Sequence, residues 1–214
     1  MSLNRTTPSS KNGEYKGTNA PEGENEARLA FVADLGLQRK EYKGEYLGDI
    51  QQIALGFEII GQTVTIADEE QPRLLWTKPF YIYSVMGEKS NEFKYYKVFD
   101  PLAEPESVPD WDAQLGKPCN VVIKHVKGKG DKADRVYDNI VDVVAIPQKY
   151  QSSVGPMTLK PAIGNCEDTE NEAIKKLFGL AKMVWERRIT SVEGSAKGAE
   201  ESGNSSDFDD DIPF

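Results

Sequence analysis

The chain has 214 residues, of which 38% are hydrophobic and 29% charged, enough for one domain with a real core and barely enough for two. Lys and Arg total 26 against 35 Asp and Glu, a formal charge of −9. Taken whole, that balance argues against a polyanion binder, because phosphate contacts need Lys and Arg.

Residues 1–26 are rich in Ser, Thr, Asn, Gly and Glu, and besides Met1 only Leu3 and Tyr15 are sizeable apolar side chains. They hold no apolar run of the kind a signal peptide needs, and too little apolar area to offset the entropy of ordering. The segment therefore reads as disordered, with three cations against four acids and a net charge of −1. The folded unit is expected over 27–190.

Inside that unit the hydrophobic period is mostly two. Leu29, Phe31, Ala33, Leu35 and Leu37 alternate with Ala30, Val32, Asp34, Gly36 and Gln38, which predicts a strand apolar mainly on one face. Ile53, Leu55, Phe57 and Ile59 alternate with Gln52, Ala54, Gly56 and Glu58, a second strand with one wet face. Between them, the polar and glycine-marked stretch 38–49 reads as a long hairpin loop. A third extended region, 73–84, is interrupted by Pro79, which demotes it to an edge or a bulge. Residues 88–99 suit a short helix, although Tyr95, Tyr96, Val98 and Phe99 would also suit a strand.

Two further strands rich in β-branched residues, 119–126 and 136–146, enclose a basic, glycine-containing loop at 127–135. Thr169 followed by Glu172 has the spacing of a capping box. It opens a helix over about 170–189, where Ile174, Leu177, Phe178, Ala181, Val184, Trp185 and Ile189 share an apolar face that should dock on the strands. Five strands, a break after the third and a terminal helix are the layout of a mainly β, five-stranded OB-fold barrel with an appended C-terminal helix, a strand count that other small barrels share.

Residues 191–206 read as a flexible linker. From 191 to 214 seven acids face Lys197 alone, a net of −6 that leaves 27–190 at −2, a nearly neutral body with an acidic end. The last eight residues are Asp207-Phe208-Asp209-Asp210-Asp211-Ile212-Pro213-Phe214. A solvated tail that only aids solubility is the plain alternative, but Phe208 and Phe214 gain nothing in so polar a segment unless a partner buries them. Pro213 restricts the backbone beside Phe214, which lowers the entropy lost on docking. The Phe214 ring and α-carboxylate together suit one basic-rimmed apolar pocket, and the aspartates favour approach to it.

These eight residues closely resemble the terminal peptide of bacterial single-stranded DNA-binding proteins, which follows a glycine-rich linker and recruits replication, recombination and repair enzymes. The body is similar instead to single-stranded DNA-binding proteins of tailed bacteriophages, in the phrases Gln51-Gln-Ile-Ala-Leu-Gly-Phe-Glu58, Trp76-Thr-Lys-Pro-Phe80 and Leu115-Gly-Lys-Pro-Cys-Asn120. The resemblance spans roughly 27–190. It implies an OB-fold without enzymatic activity, working in phage replication or recombination in the cytoplasm of an infected bacterium. The helix near 170–189 lies outside the minimal barrel.

Binding unpaired DNA needs aromatic faces for stacking and cations for the backbone. Candidate rings are Tyr42, Tyr46, Trp76, Phe80, Tyr81, Tyr83, Tyr95 and Tyr96, with Arg39, Lys40, Lys43, Lys78, Lys94 and Lys97 interleaved. The later hairpin adds Lys124, Lys127, Lys129, Lys132 and Arg135, diluted by Asp131 and Asp134. In an OB-fold the first-to-second and fourth-to-fifth strand loops flank the groove, and both are basic here. Small Ala54 and Gly56 would leave room for a base against the sheet. Trp76 is read as a core ring ahead of a stacking one, though kept among the candidates, and Trp111 and Trp185 are read as structural.

The DNA-binding set is thus Arg39, Lys40, Tyr42, Lys43, Trp76, Lys78, Phe80, Tyr81, Tyr83, Lys124, Lys127, Lys129, Lys132 and Arg135; the partner-binding set is Asp207 to Phe214. Expected partners are single-stranded DNA, replication and recombination proteins recruited by the tail, and further copies of the chain. No cofactor, metal or catalytic residue is implied, and no stretch approaches the ~18 apolar residues of a spanning helix. Cys119, Cys166 and the lone His125 give no zinc spacing; free thiols in a cytosolic protein are favoured over one disulfide. Two other readings stand beside this one: an adaptor whose barrel binds protein, and a nuclease with a carboxylate-held metal.

Overall fold

The computed structural model describes residues 15–16, 19–66 and 68–190. Most of the 1–26 segment, the 191–206 linker and the 207–214 tail lie outside the described residues. In chain order the elements are β1 (Tyr15–Lys16), β2 (Gly23–Tyr42), β3 (Glu45–Ile66), β4 (Glu69–Trp76), β5 (Phe80–Tyr81), α1 (Asn91–Phe99), β6 (Pro118–Lys127), β7 (Val136–Ala145), α2 (Gln148–Gln151), β8 (Ala162–Gly164), α3 (Glu172–Lys175) and α4 (Gly179–Glu186). The protein is mainly β, as its alternating pattern predicts.

Ordered structure starts before residue 27. Glu24, Asn25 and Glu26 already pair with Val122, Val121 and Asn120 of β6, and Ala20 is buried, its amide bonded to the Asp138 carboxylate. Backbone pairing and a few side-chain anchors order this polar stretch, which an apolar-area argument cannot detect.

One antiparallel sheet carries the fold, in the order β1-β3-β2-β6-β7, with β4 and β5 also on β3 and β8 parallel beside β2. It is open: no ladder joins β4 to β7 among the described residues, where a closed five-stranded barrel would have one. A buried ion pair, Arg73 to Asp138 at 3.3 Å, spans that gap instead.

The first two strands run much further than their apolar rows. The stretch expected to be a loop, 38–49, is paired almost to its tip, Tyr42 facing Glu45. Lys43 and Gly44 make a two-residue turn with φ of 51° and 80°, the left-handed pair that matches strand twist. These residues look like loop because both faces of the ribbon meet water, which removes the period-two signal.

Both faces of the central sheet are buried, and the second face was expected to be wet. Inside, Leu29, Val32, Ile53, Leu55, Phe57 and Ile59 join Leu75, Phe80, Val121, Ile123 and the α1 side chains Phe93, Tyr96 and Phe99. Outside, Ala30, Phe31, Ala33, Leu35 and Ala54 are covered by Ala173, Ile174, Leu177 and Ala181. Register shifts at Leu29/Phe31 and Asp34/Leu37 split the Leu29–Leu37 row, sending Leu29 inward and Phe31, Ala33 and Leu35 outward.

The terminal helix is two short helices, not one. Asn171, rather than Thr169, caps α3 by accepting from the Ala173 amide at 2.9 Å. Two charges anchor the segment leading into it. Glu58, buried, accepts from the Thr158 amide at 2.8 Å and the Leu159 amide at 2.7 Å. Its cross-strand neighbour Arg28 donates to the carbonyls of Gly155, Gly116 and Val154 at 2.7–2.9 Å. The 88–99 ambiguity resolves as a helix, α1, capped by Ser90.

Candidate nucleic-acid interface

From Leu37 to Gln52 no residue is buried, so β2 and β3 leave the packed sheet as a two-stranded arm. Its rings are open to solvent: Tyr42 is 61% exposed and Tyr46 50%. The Arg39 guanidinium lies 4.9 Å from the Tyr46 ring centre and pairs with Glu41 at 2.8 Å, while Lys43 lies 5.3 Å from the Tyr42 ring. On the other side the Lys40 ammonium is 3.1 Å from the Tyr83 hydroxyl and 5.0 Å from the Tyr81 ring centre. Tyr81 and Tyr83 reach this place because β5 pairs beside the arm's root, Tyr81 opposite Gln52. The arm thus carries Arg39 with Tyr46 and Lys43 with Tyr42, while on its other side Lys40 meets Tyr81 and Tyr83, the latter half exposed. Asp49, hydrogen-bonded to Tyr46, raises that phenol above its ordinary pKa, so the ring stays neutral in any physiological buffer.

Other candidate rings serve packing. Phe80 is only 4% exposed and leans on Tyr95 at 5.3 Å, so it has no face for a base. Trp76 stacks on Phe31 at 6.0 Å and donates its indole N–H to the Lys176 carbonyl. Its ring also rests on Gly56, where a Cβ would come within 3.0 Å; that is why the position is glycine. The space that Ala54 and Gly56 leave on the sheet is therefore filled by Trp76 and α3–α4, not open to a base. Tyr96 is buried, its hydroxyl accepting from the Asp110 amide and the Gln114 side chain at 3.0 Å each. Lys94 pairs with Asp142 at 2.9 Å, whereas Lys78 is exposed in the joint between β4 and β5.

The second basic group is elsewhere. Gly23 of β2 faces Ile123 of β6, so the loop beyond Lys127 lies past the start of β2, with Val136 bonded to Asn19. The arm's tip lies at the far end of the same 20-residue strand. The two loops expected to flank one groove stand at opposite ends of β2. Lys124, Lys127, Lys129, Lys132 and Arg135 are all exposed, and Tyr137 beside them is 41% exposed. Tyr137 went unnoticed in the sequence because it sits amid valines that read only as strand.

His125 anchors the N-terminal segment, its Nε2 lying 2.8 Å from the Ala20 carbonyl oxygen. Near the arm's root a groove of about 440 Å³ is lined by Asp34, Asp110 and Asp112, the wrong sign for phosphate. Among the described residues no group of three or more His, Cys, Asp or Glu could hold a metal ion. Cys119 and Cys166 are free thiols, and burial pushes Cys166 up to about 11. No helix among the described residues is long and apolar enough to cross a membrane. Compared with known proteins, the chain matches no protein-family model and no curated protein.

Proposed function

We propose that this protein binds single-stranded DNA without catalysis, through the arm, and recruits replication, recombination or repair enzymes through residues 207–214. The observation that carries the reading is a protruding ribbon that sets Tyr42 and Tyr46 beside Lys43 and Arg39, with Tyr81 and Tyr83 against Lys40 at its root. Rings that stack on bases beside cations that meet phosphates are what sequence-tolerant binding of unpaired strands requires. Each stacked base is worth ~1–3 kcal/mol, so a few rings suffice on a body that is not basic overall.

The underlying barrel is read as an OB-fold. The β2–β3–β4 meander, α1 between β4 and β6, and the return of β6 beside the start of β2 all support this. So does the Arg73–Asp138 pair at the place where the barrel would close. The tail's likeness to the bacterial recruiting peptide supports the second half of the proposal, and the phage-like phrases in the body support a role in an infected cell's cytoplasm.

The test is fluorescence anisotropy with a labelled oligo-dT and a duplex of equal length. Preference for the unpaired strand, weakening as salt rises, is expected. Equal binding to both, or to neither, would refute the reading.

A further inference from the structure

We propose that the β6–β7 hairpin is a second, independent polyanion site, so that one protomer holds two segments of unpaired nucleic acid and speeds the pairing of complementary strands. This rests on the reading of the arm as the strand-binding surface.

Three observations carry it. The first is separation. The arm's tip and the 127–136 loop lie at opposite ends of β2, a strand of 20 residues that bulges shorten from a straight length of ~65 Å.

The second is the absence of a path between them along the sheet's outer face. Residues 154–159 lie across that face, held by Arg28 and Glu58, and α3 and α4 cover Phe31, Ala33, Leu35 and Ala54 further on. A strand seated on the arm cannot continue along this face to the hairpin.

The third is the hairpin's chemistry. Lys124, Lys127, Lys129, Lys132 and Arg135 form no ion pair with any described residue, unlike Arg39 in the arm or Lys94 on α1. Within 124–135 they outnumber Asp131 and Asp134 by five to two. Among the described residues one exposed tyrosine, Tyr137, stands beside them, against three at the arm, Tyr42, Tyr46 and Tyr83. The arm therefore takes bases together with backbone, and the hairpin takes backbone alone. A site that reads only phosphate accepts a second strand of any sequence, and also the duplex formed.

The experiment uses the full chain and a complementary pair of mixed-sequence oligonucleotides labelled for energy transfer, at low salt. Three proteins are compared: the parent, the variant Lys127→Ala/Lys129→Ala/Lys132→Ala/Arg135→Ala, and Tyr42→Ala/Tyr46→Ala. The parent should accelerate annealing. The hairpin variant should still bind oligo-dT within ~3-fold of the parent while its annealing rate falls by ~10-fold, because only the second strand's phosphate contacts are gone. An unchanged annealing rate would overturn the proposal. So would a loss of oligo-dT affinity as large as the arm variant's, which would mean one strand touches both ends. A parent that binds oligo-dT but does not accelerate annealing sinks this inference alone; a parent that does not bind oligo-dT sinks the reading beneath it.

Discussion

Lys40 stands between two rings, with its ammonium on the Tyr83 hydroxyl and over Tyr81. At exposed sites such cation–ring contacts are worth only ~0.5–1 kcal/mol, so a base can displace the ammonium and leave it free for the adjoining phosphate. The rings should therefore matter more than the hydroxyl. Tyr83→Phe is expected to leave oligo-dT affinity within about 2-fold, and Tyr83→Ala to weaken it by ~1–3 kcal/mol in an anisotropy titration. A different residue-scale effect belongs to Glu92, buried in α1 with the Trp111 indole N–H 3.3 Å away. Burial raises its carboxyl above the usual range, the indole bond partly opposing this. A group whose folded pKa is raised favours the folded state while protonated, and that contribution is lost as pH rises through the folded value. Glu92→Gln should thus gain stability over the parent as pH climbs from 4 to 7, measured by urea denaturation, with the gap closing in acid.

Among the elements, the C-terminal segment does most to redefine the sheet. It turns a face that alternation marks as wet into a second core, and so moves any strand-binding surface out to the arm. Leu177 is buried in that core; Leu177→Ala should cost ~2–5 kcal/mol of unfolding free energy. Glu58→Ala strands the Thr158 and Leu159 amides and should cost ~1–3 kcal/mol, read from the same denaturation curves. The strand at 52–59 was legible from its alternation and that at 119–126 from its β-branched residues, and the apolar stripe carrying Ile174, Leu177 and Ala181 from its helical period. The arm was not, because Tyr42 and Tyr46 lie among charges with water on both sides. Nor was the burial of Ala54 and Gly56, since a cover made by Trp76 and the distant α3–α4 segment leaves no local trace. Of the candidate rings, Tyr42 on the arm and Tyr81 and Tyr83 at its root each stand beside a lysine. Phe80 and Trp76 serve packing instead, and no periodicity separates a core aromatic from a stacking one.

For the whole molecule, charge and chain path converge at the arm. The Ile189 amide bonds to the Leu37 carbonyl at 2.9 Å, so the last described residues lie at the arm's root. The −6 segment follows them in sequence, and if the arm binds DNA as proposed, these acids would compete for its cations. Deleting 207–214 should tighten oligo-dT binding at low salt, the gain fading as the Debye length falls from ~10 Å at 0.1 M toward ~3 Å at 1 M. Equal affinities of the full and shortened chains across that titration would remove the competition.

The central claim is that exposed rings of a protruding ribbon hold unpaired bases. Its most direct measurement is the affinity of the full chain for oligo-dT beside that of Tyr42→Ala/Tyr46→Ala, two solvent-facing changes that leave both cores untouched. The parent should bind, and the double variant should bind ~30-fold or more weakly, at ~1 kcal/mol or more for each ring lost. Equal affinity in the two proteins would contradict the account.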